Sequence, residues 1–137
     1  MSYGSNEYTR RYTAAQVTVV DRERLLALVF EGGTKFLRLT REALAAGDMP
    51  RFGEHLARAQ AIIAELQGTL DHAAGGTIAR DLARLYDFML FHLTEANAQK
   101  SLRHVDEVLG VYTTIADAYR AILAQPAAER AAATVAA

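Results

Sequence analysis

The chain has 137 residues, 51% of them apolar and 23% charged, with a net charge of −1 and no Cys. A chain of this size buries roughly two thirds of its unfolded surface, which one core can supply without a disulfide or metal staple. The missing Cys excludes disulfide frameworks, thiolate zinc sites, iron–sulfur clusters and thiol nucleophiles.

The 15 Lys and Arg are scattered among 16 Asp and Glu, so no cationic cluster invites nucleic acid. The longest apolar run, Leu25 to Phe30, is far short of the roughly 20 residues needed to span a bilayer. The N-terminus lacks the cationic and apolar regions of a secretory signal, which points to a cytoplasmic protein with no stable membrane insertion.

Residues 1–20 are polar, with Tyr3, Tyr8, Tyr12 and Val17 interspersed, and read as an N-terminal arm. Asp21 is a candidate cap for a first helix running to Ala46, which Gly47-Asp48-Met49-Pro50 interrupts. A second helix follows to about Ala73, Gly75-Gly76-Thr77 marks a reversal, and a third helix continues to about Gln99. Ser101 can open a fourth, ending near Gln125-Pro126, and the Ala-rich tail 126–137 lacks bulky apolar residues and reads as disordered. Helices of this length joined by short turns predict an all-α, antiparallel up-down-up-down four-helix bundle over residues 21–125.

The first helix carries two apolar stripes. Leu25, Leu28, Val29, Gly32, Phe36, Leu39 and Ala43 lie on one face and are expected to be the core seam; Leu26, Phe30, Gly33, Leu37 and Leu44 form a second stripe and are expected to face outward. In the third helix, Ile78, Leu82, Leu85, Met89, Leu93 and Ala96 make the core face, Tyr86 and Leu90 flank it, and Phe91 points nearly opposite. For any single residue ordinary core packing is the simpler reading, but the surplus stripe as a whole suits a groove for a foreign amphipathic segment. Gly32-Gly33 in mid-helix costs about 1 kcal/mol per Gly relative to Ala, offset either by close approach of a neighbouring helix or by the floor of such a groove.

Catalytic and metal signatures are missing. No Glu is followed by His at the three-residue spacing of a carboxylate-bridged metal site, and His55, His72, His92 and His104 are isolated. No nucleophile sits beside a base, and Gly75-Gly76-Thr77 lacks the Lys and spacing of a phosphate loop. The expectation is a binding protein without cofactor, metal or enzymatic activity.

Two stretches resemble a known family. Tyr12, Val17 and Leu25-Leu26-Ala27-Leu28-Val29-Phe30-Glu31-Gly32-Gly33-Thr34-Lys35-Phe36-Leu37 are similar to the first-helix signature of the flagellar export chaperone FliS. So is the series Ala59 to Leu66, Leu70-Asp71, Gly75-Gly76, Ile78-Ala79, Leu82, Leu85 to Met89, Leu93 and Glu95-Ala96-Asn97. The likeness covers about residues 12–123. It departs where the family commonly has Thr-Ala-Ser-Pro and this chain has Val19-Val20-Asp21-Arg22, at Tyr119 where Trp is frequent, and at Phe91 and His92 where basic residues are usual.

The resemblance implies a cytoplasmic chaperone that binds the C-terminal amphipathic segment of flagellin, prevents its premature polymerisation and delivers it to the flagellar type III export gate. The helical wheels then nominate Leu26, Phe30, Gly33 and Leu37, with Ile62, Tyr86 and Leu90, as the client groove, so that Phe30→Asp is expected to spare the fold. Asn97, at a motif position of the family, either bonds the client or stabilises the end of the bundle. The resemblance also implies that the arm covers the groove in the free protein, with Tyr12 and Val17 as plugs; the alternative is that they anchor the arm to the core. A different class of reading is a helical scaffold that self-associates through the same seams, for example as a homodimer, without a flagellin client.

Overall fold

The computed structural model describes the backbone of residues 3–125 and, within it, the side chains of 7–11 and 21–125. Among the described residues four helices follow one another: α1 (Tyr3–Ala45), α2 (Met49–Gly68), α3 (His72–Gln99) and α4 (Leu102–Ala124). The tail from 126 lies outside the described residues.

Side-chain caps set the three later helix starts. Asp48 accepts a hydrogen bond from the amide of Arg51 at 3.2 Å, with Pro50 in the first turn of α2. Asp71 accepts from the amides of Ala73 and Ala74 at 3.1 and 3.0 Å, and Ser101 Oγ from the amide of His104 at 3.4 Å. α3 ends on Lys100 in the left-handed conformation, φ 51° and ψ 47°.

Two expected boundaries are corrected. The first helix does not begin at Asp21 but at Tyr3, making a rod of 43 residues, about 65 Å long. Neither Gly nor Pro stands between Ser5 and Glu31, and the β-branched run Val17-Thr18-Val19-Val20 costs only tenths of a kcal/mol per residue, too little to stop a helix. The second correction concerns Gly75-Gly76, which is not the turn after α2. That turn lies at Thr69–Asp71, because the Asp71 cap starts α3 early. Gly76 then forms a break inside α3, with φ 51° and ψ −122°, a combination that glycine tolerates without strain.

α1 packs against α2 and α4, and α3 packs against the same two, so α1 and α3 sit diagonally. Contacts between neighbours are those of antiparallel pairs. Phe36 meets His55 and Gly32 meets Ile62; Arg41 pairs with Asp106 while Phe30 stacks on Tyr119; His92 faces Glu107. The all-α bundle read from the sequence is the fold observed.

The core comprises Phe30, Leu37, Phe52, Leu56, Ile63, Leu66, Tyr86, Met89, Leu93, Val105, Val108 and Tyr112, closed by Ala43, Ala59, Ala96 and Ala116. Its buried polar side chain, Thr40, donates to the carbonyl of Phe36 at 2.6 Å.

Candidate functional site

The two stripes of α1 exchange roles relative to expectation over residues 25–37, while Ala43 is buried as expected. Phe30, Gly33 and Leu37 are buried, whereas Leu25 and Leu28 are 61% and 56% exposed. Tyr112 of α4 fixes this orientation. Its hydroxyl donates to the Phe30 carbonyl at 2.8 Å, and its ring lies where a side chain on residue 33 would be, since a Cβ there would stand 1.9 Å from the hydroxyl oxygen. Gly33 therefore admits a neighbouring side chain, the close-approach explanation of the pair. Gly32 sits at the edge of the α1–α2 contact, where a Cβ would meet Ile62 Cδ1 at 3.6 Å.

Burial pushes the hydroxyls of Tyr112 and Tyr86 above the ordinary tyrosine value of 10; for Tyr86, with a smaller contribution from Tyr119, the pKa reaches about 12. Both side chains are neutral core groups. Phe30, Gly33, Leu37 and Tyr86 are thus interior positions, and the expectation that they line an outer groove is corrected by their burial.

The outward apolar row is the other one. Leu25 and Leu28 are exposed, and Val29, Gly32, Phe36 and Leu39 are half-buried along the side of α1 that meets α2. Near the end of α2, Leu25, Leu26 and Val29 line a cleft of about 450 Å³ together with Arg22, Glu65 and Thr69. Farther along, the Phe36 ring lies under two cations, with Lys35 Nζ and the Arg58 guanidinium 5.5 and 5.4 Å from its centroid. The seam is apolar along its floor, carries opposite charges at the cleft, and at the other end presents Lys35 beside Arg58, whose guanidinium is 3.9 Å from Glu54.

Of the nominated residues, Leu26 and Ile62 stand half-buried at this seam, and Leu90 is half-buried on α3, away from it. Asn97 is exposed and accepts a hydrogen bond from Lys100 Nζ at 2.9 Å, while the same ammonium lies 5.2 Å from the Phe52 ring centroid. That contact ties the end of α3 to α2. The side chains of Tyr12 and Val17 lie outside the described residues.

Sequence reasoning placed in the core Leu25 and Leu28, which the structure exposes, and Val29, Gly32 and Phe36, which it leaves half-buried. A usable signal was present: Arg24, Glu31, Lys35, Arg38 and Glu42 cluster on one side of α1, and the stripe opposite them is Leu26, Gly33 and Leu37. Weighing the charged side, and not only the apolar count, selects the correct inner face.

A smaller cavity of about 110 Å³ lies between α1 and α4, lined by Ala27, Phe30, Glu31, Ala116, Tyr119, Arg120 and Leu123. Among the described residues no group of three or more His, Asp or Glu is placed to hold a metal, and no helix is long and apolar enough to cross a membrane.

Residues 4–126 match the family model of the flagellar protein FliS. The chain is 32% identical over 120 residues to the flagellar secretion chaperone FliS of Salmonella typhimurium, covering 87% of this chain and 89% of that protein. It is 34% identical over 102 residues to the flagellar secretion chaperone FliSB of Pseudomonas aeruginosa, covering 74% and 81%. The FliS of Bacillus subtilis is 32% identical over 115 residues, 84% of each chain. An all-helical bundle, an open apolar seam and this likeness across nearly the whole chain together identify it as a member of the FliS family of flagellar secretion chaperones.

Proposed function

We propose that this chaperone binds the C-terminal amphipathic segment of newly made flagellin in the cytoplasm and hands it to the flagellar export gate. A segment built to pair with copies of itself in a filament would associate too early if its apolar stripe stayed bare. Covering that stripe needs no nucleotide and no covalent step, only a groove with side chains at helical spacing.

The observation that carries the reading is the row Leu25, Leu28, Val29, Gly32 and Phe36, open along the α1–α2 face and backed by Ile62. Its spacing matches the i, i+3, i+4, i+7 anchors of a docked helix. Lys35 and Arg58 at one end favour an acidic flank on the client, through attraction that salt screens. Ordering an unfolded client costs about 2–5 kcal/mol of the contact energy, which keeps the complex releasable. Within the same proposal, the N-terminal stretch of α1 that carries Tyr12 and Val17 leaves the rod and folds back to mask the seam until the client arrives. Deleting residues 1–20 then raises peptide affinity, and an unchanged affinity removes the masking role.

Calorimetry with a flagellin C-terminal peptide tests the proposal. The expected result is saturable 1:1 binding with a negative heat-capacity change, lost in Leu28→Asp. No binding at micromolar concentration sinks it.

A further inference from the structure

A glycine in mid-helix weakens the helix, because its backbone loses more freedom on folding than that of any other residue. Gly32 and Gly33 both carry this cost in α1, and the packing of the bundle accounts for one of them. At Gly33 the Tyr112 ring fills the place of a side chain. At Gly32 the backbone is ordinary helix, and a Cβ would meet Ile62 Cδ1 at 3.6 Å, a normal van der Waals distance. Beyond α1's own nearby backbone, no other atom would lie within 4 Å of it. The fold has room for Ala at position 32 and holds Gly there.

The surroundings of Gly32 set it apart from the other glycines with such room. Among the described residues these are Gly53, Gly68 and Gly110, and all three stand exposed. Gly32 is half-buried in the middle of the outward apolar row. Leu28 and Phe36 lie one turn to either side on the same line, Val29 is beside it, and Ile62 faces it from α2. Omitting one side chain from that line leaves about 12 Å of helix between Leu28 and Phe36 bare, with apolar walls and a floor whose amides and carbonyls are spent in the helix itself.

We propose that Gly32 is a specificity-determining position of the chaperone: the side chain it lacks leaves a notch that receives one bulky aliphatic side chain of the client helix. The proposal rests on the reading of the α1–α2 seam as the client groove. A docked helix inserts its side chains as knobs into holes on the facing surface, and a hole cornered by glycine is deeper than its neighbours. A methyl group placed at its floor would stop the knob from seating, just as an extra methylene overfills a packed core. The glycine thus exchanges stability of α1 for depth of the groove, so its replacement should move stability and affinity in opposite directions.

Thermal melts and calorimetry of the full chain with the flagellin C-terminal peptide test this. Gly32→Ala is expected to raise the melting temperature by about 2–6 °C and to weaken peptide binding about ten-fold. Gly110→Ala, at an exposed mid-helix glycine of α4, should raise the melting temperature in the same sense and leave affinity unchanged. Peptides with each bulky aliphatic residue cut to Ala in turn then locate the knob. At one position the cut should weaken binding to the wild type and have much less effect on binding to Gly32→Ala. A Gly32→Ala variant that binds as tightly as the wild type, a melting temperature that does not rise, or losses that add at every peptide position each overturn the proposal and leave the groove reading standing. No binding of the uncut peptide to the wild type overturns the groove reading, and this inference with it.

Discussion

The two apolar stripes of α1 contain similar residues and have opposite fates. Phe30, Gly33 and Leu37 meet a partner shaped to them, because Tyr112 reaches over Gly33 to the carbonyl of Phe30. Leu25 and Leu28 are mostly exposed, and Val29 and Phe36 pack on the edge of the core and stay partly in water. Grease alone does not make a core: the stripe that goes inside has a complementary shape and a satisfied hydrogen bond waiting for it, and lies opposite the charged side of the helix. The stripe left over is the one proposed here to receive the client.

Changes to the inner stripe should therefore damage folding, and changes to the outer stripe should damage binding. The largest effect is expected from Phe30→Asp, which buries an unpaired carboxylate and should lower the unfolding free energy by about 3–5 kcal/mol, by analogy with broken buried ion pairs, or abolish folding. Leu37→Ala follows, costing about 2–5 kcal/mol in urea titration as a fully buried side chain becomes a cavity. Gly33→Ala forces Tyr112 off its bond and should cost about 1–3 kcal/mol. Pairing it with Tyr112→Phe in a double-mutant cycle should return less than the sum, and strict additivity would break the comparison. Leu28→Asp belongs to the other stripe: its stability should stay within about 0.5 kcal/mol of wild type while peptide affinity falls. A loss of several kcal/mol there would show that Leu28 is a core residue after all.

pH sharpens the inner half of the comparison. Tyr86 has its hydroxyl pushed from 10 to about 12 by burial, and Tyr112 is raised as well. An acid whose folded value is raised ionises more readily in the unfolded chain, so its stabilising share is intact below pH 10 and is lost as pH rises through about 12. Thermal melts should drop progressively above pH 10, and Tyr86→Phe should flatten that decline.

Much of the architecture is legible in the sequence because helix punctuation is local chemistry. Asp48 with Pro50, and Ser101, carry their capping function in the residue itself. The failures are of two kinds. Asp71 and Gly75-Gly76 compete to mark the same boundary, and the side-chain cap prevailed because it satisfies two amides whereas a glycine only permits a turn. Which stripe of α1 faces inward is signalled only by the charged side opposite it, which an apolar count overlooks, and the contact that fixes it, Tyr112 over Gly33, is distant in sequence. The surplus apolar stripe of α1 is legible in the sequence, but which stripe stays partly exposed is the reverse of the expectation, with Leu26 and Ile62 half-buried between the two.

The break at Gly76 also bears on how the chain comes apart. It interrupts the amide ladder of α3, leaving the segment from His72 to Gly75 held by the Asp71 carboxylate and by the Gly75 amide on the Asp71 carbonyl. That short turn can open while residues 77–99 stay packed, so its amide protons should exchange with solvent long before those of the bundle interior. It is thus a natural first site for proteolytic nicking, and a place where inserted residues would disturb the remainder of the molecule least.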